Sequence, residues 1–490
     1  MADRKKDTTV LEVKYVPVAE KSTELQPESQ FKRPDTFYLM FSVASCMLFM
    51  ITGGSSYVWY SSALVKLGSN DSDINPLGRP ITNLETSFLL SMPNFSGIFG
   101  ALLLPPLSDK TGRKKFLLIM GFGMLVHFVS LAFSTSIIAM VVSASLIGVF
   151  FAGGFSIMSL YITELCEEHN RAKYGCINFT CMPLSQLYCY VVGPLFSMRN
   201  YILLLSLPVA LFMVLFNFAP ETPMHLLSKG RETDCIRTLK RLRSNKSQKE
   251  IDIDVDKINM GLTTMANGEK ANFFTVFKSK EGRVGMLLAM IPLIGTFICG
   301  ITIIMPLLAP IFNNAGIGIS GSTVAIIVGS FKICFYLLTS MLIETAGRRT
   351  MLLISSIGCS IPISLLGICF YLNSIDSPIL AKVQWLPIVL ILLFIFFFSL
   401  GLGPLPFTLV NEFFPTDVRS SAVSIATTLC SLILFVYTFT FPLIAGIIGM
   451  HSCMWIFGAS CLTIGTIIYF WLPETKGKTI HEIQEMLKNY

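Results

Sequence analysis

Asp109-Lys110-Thr111-Gly112-Arg113-Lys114 separates two apolar runs, and 235 residues later Glu344-Thr345-Ala346-Gly347-Arg348-Arg349 separates two more. An acid, a glycine turn and a basic pair between hydrophobic stretches describe a tight loop at a membrane surface. The glycine permits the turn and the cations stay in water. Two further signatures recur in the same order. Glu164 and Arg171 have the same seven-residue spacing as Glu412 and Arg419, and Pro220-Glu221-Thr222-Pro223 is matched by Pro473-Glu474-Thr475-Lys476-Gly477. The offsets are 235, 248 and 253 residues, so one duplicated unit accounts for all three.

The composition agrees with a membrane setting. The chain has 490 residues, 53% hydrophobic and only 14% charged, and its mean hydropathy is +0.66; one soluble core could not bury so much apolar surface. Crossing the hydrocarbon layer of roughly 30 Å takes about 20 apolar residues as a helix, because the backbone must satisfy its own polar groups there. Twelve stretches qualify, at about 38–62, 86–107, 115–134, 137–160, 174–196, 201–219, 285–310, 322–343, 351–372, 384–408, 423–446 and 452–472. The sequence therefore predicts an all-α membrane protein with twelve transmembrane helices in two pseudo-symmetric six-helix halves. Its parts are a tail over 1–37, a first half over 38–219, a linker over 220–284, a second half over 285–472 and a tail over 473–490.

Orientation follows from the basic residues. Of 37 Lys and Arg, 32 fall on the N-terminal side of the membrane, four on the other, and Lys332 lies within a span, which predicts cytosolic termini. The first 36 residues hold seven Lys or Arg and no apolar core, so they read as a cytosolic tail and not as a cleaved signal. The net charge of +7 reflects this topology and gives no reason to invoke nucleic acid. Thirteen cysteines lack CxxC or metal-ligand spacing. Of four glycosylation sequons, Asn94 and Asn178 lie in spans and Asn245 in the linker, which leaves Asn70, in the first outer loop, open to modification. With no nucleotide loop, metal cluster or Ser/His/Asp arrangement, and five dispersed histidines, the reading is not an enzyme and needs no cofactor. The partners it implies are a small-molecule solute and the lipid bilayer, with no obligate protein partner evident.

The repeated charges form a candidate gating network: Asp109, Arg113, Lys114, Glu164, Arg171 and Glu221 in the first half, and Glu344, Arg348, Arg349, Glu412, Arg419 and Glu474 in the second. Ion pairs among them could tie the halves together in one conformation and release them in another. The alternative is that they only fix topology, which explains the basic residues but not acids at repeated positions.

These motifs resemble the sugar porter family of the major facilitator superfamily. Gly401-Leu402-Gly403-Pro404-Leu405-Pro406-Phe407 with Glu412-Phe413-Phe414-Pro415 looks like that family's tenth-helix signature, and Pro473 to Glu482 looks like its terminal motif. Within the family the chain looks most like insect facilitated trehalose and glucose transporters. The resemblance implies a plasma-membrane carrier that rocks its halves about a central site. It also shows where the chain departs from the pattern: Thr296 and Phe297 stand where sugar porters carry paired glutamines, and Thr302 and Lys332 where they carry asparagines. Phe407 replaces a tryptophan, Cys430 and Ser431 an Asn-Trp pair, and Phe179 a glutamine or threonine. Pro105, Ser159 and Ala144 likewise depart from the scaffold pattern and weaken the expected gate.

The candidate substrate-binding set is Phe179, Gln186, Thr296, Phe297, Thr302, Lys332, Phe407 and Cys430, with Asn178, Thr180 and Ser185 as further polar groups of the fifth span. Fewer amides weaken the grip on neutral hydroxyls. Lys332 lies roughly 15 Å from either interface by the ~1.5 Å rise per residue, so it must face a cavity or a partner. No span holds Asp or Glu away from its ends, so the lysine is hydrated, neutral or matched by an anionic or carbonyl-bearing solute. The same lack of acids favours downhill transport. Two alternatives stay open: a carrier of a non-sugar organic solute, anionic ones included, and a transport-dead sensor or interaction protein on the same scaffold.

Overall fold

The computed structural model describes residues 35–267, 276–314, 318–342, 347–377, 383–414, 416–476, 478 and 480–490. The first half supplies helices α1 (Phe37–Leu67), α2 (Asn83–Leu103), α3 (Arg113–Ala132), α4 (Ile137–Leu165) and α6 (Met198–Phe218), with α5 at Glu168–Leu195. The second supplies α7 (Lys280–Ile304), α9 (Arg348–Ser374), α10 (Leu386–Phe413) and α12 (Met450–Trp471), with α8 at Gly321–Leu342 and α11 at Thr416–Ile448. Eleven of these helices are long and apolar enough to span a bilayer. The twelfth, α5, has 28 residues, ample for a span, but carries Asn170, Arg171, Lys173 and Asn178. It can do so because it packs between α1 and α8 and faces protein along much of its length.

The halves repeat one packing plan. α2 lies on α4 as α8 lies on α10, α3 on α4 as α9 on α10, and α1 on α5 and α6 as α7 on α11 and α12. Between the halves, α2 packs on α11 and α5 on α8, two contacts that the same pseudo-twofold exchanges. In lipid there is no apolar drive between apolar helices, so close backbone approach holds them together. The α2–α4 contact shows it: a methyl group on Gly148 would stand 2.0 Å from Pro93 O, and one on Gly100 2.2 Å from Val149 O.

Three short helices, Pro223–Ser228, Glu232–Leu242 and Gln248–Asn267, connect the halves. They enclose a small core of Leu226, Cys235, Leu239, Ile251 and Val255. The connector is fastened to the first half, since Arg243 Nε and Lys246 Nζ reach Glu167 at 3.4 and 3.1 Å and Thr36 Oγ1 donates to Leu242 O at 2.6 Å. The last helix, Ile480–Lys488, packs on α7 and α10. The connector, this helix and the repeated loops share one face of the protein, called here the connector face; the opposite one is the far face. Exposed Asn70 lies in the α1–α2 loop on the far face.

Candidate functional site

At the connector face the repeated charges form two equivalent clusters. Glu221 accepts the backbone N–H of Lys114 at 3.1 and 3.2 Å, and Glu474 accepts those of Arg348 and Arg349 at 2.8 and 3.1 Å. Each acid caps the N-terminus of the helix after the glycine turn, where free N–H groups and the helix dipole favour a negative charge. The cations at equivalent positions close the other helix end: Lys114 Nζ donates to Asn217 O at 2.6 Å near the end of α6, and Arg349 donates to Tyr469 O near the end of α12. Arg113 lies 3.6 Å from Glu164 and also pairs with Asp109, while Arg348 lies 3.2 Å from Glu412. Thr475 Oγ1 donates to Glu412 at 2.6 Å. Arg171 is exposed, Arg419 donates to Phe414 O at 3.1 Å, and Glu344 lies outside the described residues.

The sequence reading assigned Glu221 and Glu474 to a network of ionic gates, whereas the structure gives both a capping role that spacing alone does not show. All these pairs stay inside one half. The halves meet instead from mid-membrane to the far face. Asn94 Nδ2 donates to Thr438 Oγ1 at 3.3 Å, Tyr190 Oη to Met305 O at 2.8 Å, and Ala309 N–H to Ser61 Oγ at 3.0 Å. Phe88 packs on Phe439 and Phe95 on Phe435.

Two helices break at membrane depth, and side chains satisfy the freed backbone. α7 turns at Gly300, whose φ of +97° suits glycine, and α10 unwinds between Leu400 and Leu405. Thr296 Oγ1 donates to Leu402 O at 2.7 Å and Ser355 Oγ accepts Leu402 N–H at 2.9 Å, so the break in α10 is clipped to α7 and α9. Thr296, expected to meet solute, gives its hydroxyl hydrogen to this clip and keeps its acceptor capacity. Cys430 is buried, Phe297 is half-buried, and Phe407 is 41% exposed beyond the α10 break. Phe179 lies on α5, with its side chain outside the described residues.

Lys332 finds a partner the sequence reading did not pair with it. Its ammonium donates to Gln186 Oε1 at 2.9 Å across the α5–α8 contact and lies 5.8 Å from the Tyr336 ring centroid. At 5% exposure it is buried. To the hydrated, neutral and solute-matched alternatives the structure adds a lysine held by an amide from the other half. No acid is needed, because a carbonyl oxygen accepts from an ammonium well.

A partly open cavity of about 60 Å³ lies between the halves, walled by α1, α2, α7 and α11. Tyr57, Tyr60 and Ser56 line it from α1, Asn94 from α2, Thr302 from α7 and Thr438 from α11. Of the described candidate residues, Thr302 alone is among its lining residues. Sequence reasoning passed over Tyr57, Tyr60 and Thr438 and treated Asn94 only as a sequon. The usable signal was the concentration of hydrogen-bonding side chains from Ser55 to Ser62 in the first span.

Residues 31–487 match the family described as Sugar (and other) transporter. The chain belongs to this family. It is 26% identical over 466 residues to a facilitated trehalose transporter of Aedes aegypti, covering 94% of the chain and 57% of that protein. It is 27% identical over 455 residues to the Culex quinquefasciatus counterpart, covering 92% and 86%. The inward-open xylose transporter XylE of E. coli superposes with a TM-score of 0.75 at 20% identity, covering 91% of this chain and 99% of that one. The fold is that of the major facilitator superfamily, and the chain is a multi-pass membrane protein.

Proposed function

We propose that the chain is a facilitative carrier of a sugar or sugar-like solute, working by alternating access with the connector face cytosolic, in the plasma membrane. The observation that carries this reading is the one-sided contact between the halves. Among the described residues their hydrogen bonds run from mid-membrane to the far face, while the duplicated charge clusters on the connector face pair within their own halves. Two rigid halves joined on one side and separable on the other are what rocking about a midplane site requires. Glu85, Glu164 and Glu412 stand near helix ends and no span carries an acid at mid-depth, which supports downhill transport.

The test is uptake of labelled glucose, trehalose and a panel of organic anions into liposomes holding the purified protein, with Lys332→Asn in parallel. Saturable sugar uptake that survives collapse of the proton gradient is expected. Uptake of anions alone, abolished in Lys332→Asn, would replace the sugar reading with an anion carrier, and no flux of any compound would remove the carrier reading. The orientation predicts a glycosidase-sensitive form of the protein that Asn70→Gln eliminates.

A further inference from the structure

We propose that Ser244 is a phosphorylation site, and that a phosphate there releases the connector from the first half by taking over the cations that fasten it. This rests on the connector face being cytosolic, where nucleoside triphosphate and protein kinases are present. The stretch Lys240-Arg241-Leu242-Arg243-Ser244-Asn245-Lys246-Ser247 places cations four, three and one residues before Ser244 and two after it, with no acid from 235 to 249. Kinases that discriminate by charge line their peptide cleft with acids, so such a run suits them. The structure selects Ser244 over the hydroxyls near it. Ser247 is engaged at the start of the helix Gln248–Asn267, where its Oγ accepts the Glu250 N–H at 3.5 Å and Glu250 accepts the Ser247 N–H at 2.7 Å. Thr238 is half-buried within its helix, and Thr233 stands between Glu232 and Asp234. Ser244 is exposed in a turn closed by Lys246 N–H donating to Arg243 O at 2.9 Å, and its hydroxyl bonds to none of the described residues.

The same turn is where the connector is held. Arg243 Nε lies 3.4 Å from Glu167 Oε1 and Lys246 Nζ 3.1 Å from Glu167 Oε2, at the N-cap of α5, and both cations also pair with Asp254. The four side chains are 11–22% exposed, so these pairs are partly shielded from water and weigh more than open surface pairs. In the transfer, the Ser244 oxygen attacks the terminal phosphorus of a nucleoside triphosphate. A P–O bond to serine forms as the bond to the departing nucleoside diphosphate breaks, and the hydroxyl proton passes to a carboxylate of the kinase. The product carries a charge of about −1.5 to −2 near neutral pH and acceptor oxygens that suit guanidinium and ammonium groups. One residue from Arg243 and two from Lys246, it draws both away from Glu167 and Asp254. Asp254 is buried and is then left without these cations, which loosens the connector from within.

The experiment uses the full-length protein purified in detergent from eukaryotic cells, as the unmutated chain, Ser244→Ala, Ser247→Ala and Glu167→Gln. Each is incubated with labelled ATP and the catalytic domain of cyclic-AMP-dependent protein kinase or of protein kinase C, then followed by peptide mapping and amide hydrogen exchange. Label that Ser244→Ala removes and Ser247→Ala retains is expected, with exchange across 232–242 about tenfold faster in the phosphorylated protein. Glu167→Gln should speed exchange without phosphate, and phosphorylation should add less to it than to the unmutated chain; a phosphate acting only as added surface charge would give equal increments. No label on Ser244, label with unchanged exchange, or equal increments would each overturn the proposal. Asn245-Lys246-Ser247 is also a glycosylation sequon, open to modification only if the turn lies outside the cytosol. A glycosidase-sensitive shift that Asn245→Gln removes would therefore sink the orientation and the site with it, whereas failure at Ser244 without that shift counts against the site alone.

Discussion

Gly112 has a φ of +97°, and a methyl group there would stand 2.4 Å from Glu221 Oε2. Gly347, its counterpart in the repeat, has the same clearance from Glu474 Oε2, 2.4 Å, but an ordinary φ of −69°. Alanine at 347 need only displace the end of a flexible carboxylate, whereas alanine at 112 adds backbone strain, worth about 1–2 kcal/mol. Gly112→Ala is therefore expected to lower stability by that much more than Gly347→Ala, as read from thermal unfolding of the purified protein; equal effects would show that steric access to the acid decides both. The Gln186–Lys332 pair permits a cleaner partition. Gln186→Leu leaves a buried ammonium without its acceptor and should cost about 1.5–3 kcal/mol. Adding Lys332→Met removes the stranded charge and should recover most of that loss, because an apolar pair of similar volume suits the contact. A double variant no more stable than the single one would mean that the amide and the ammonium do not depend on each other.

Asp35, just before α1, ties that helix to α5: its carboxylate accepts from Asn170 Nδ2, Lys173 Nζ and Tyr174 Oη at 2.8, 2.8 and 2.9 Å. Burial pushes the Asp35 carboxyl up, and the three donors outweigh it, holding its pKa below the ordinary carboxylate value. A depressed folded-state pKa means the stabilisation is complete above the unfolded-state value, about 4, and is lost as pH falls through the folded-state value. Asp35→Asn should accordingly be less stable than the unmutated chain at pH 7, with the gap in unfolding midpoint closing below about pH 4; a gap independent of pH would assign the tie to geometry and not charge. The helices themselves were legible because apolar length is a one-dimensional signal that lipid enforces, and the duplication was legible because Gly112 and Gly347, Glu164 and Glu412, and Glu221 and Glu474 recur in order. The capping role of Glu221 and Glu474 was not, since an acid beside basic residues reads as an ion pair until the backbone N–H groups are placed. The site was less legible still. Tyr57 and Thr438 look like ordinary span residues, and only the packing of four helices from both halves places both on one cavity.

The whole molecule is held in its present state by a small number of directed contacts across the far face, and the break in the chain after α7 is where they converge. Met305 and Ala309 lie between the helical segments that end at Ile304 and begin at Leu308, or at the first turn of the latter, so their backbone groups need partners from elsewhere. The first half supplies them: Tyr190 donates to Met305 O and Ser61 accepts from Ala309 N–H, and all four residues are buried. Both bonds must break for the far face to open. Losing them strands polar groups in this state but not in one where water reaches the same backbone, so Ser61→Ala with Tyr190→Phe should bias the equilibrium toward the far-open state. Two hydrogen bonds at roughly 1 kcal/mol each correspond to about a thirtyfold shift. Spin labels on exposed Lys110 and Thr350, one in each half at the connector face, with exposed Cys334 replaced, would report it as growth of a short-distance population. If the distances do not change, the far face is closed by ring packing of Phe88 and Phe95 on α11 and not by these bonds, and Phe88→Ala would then be the substitution that opens it.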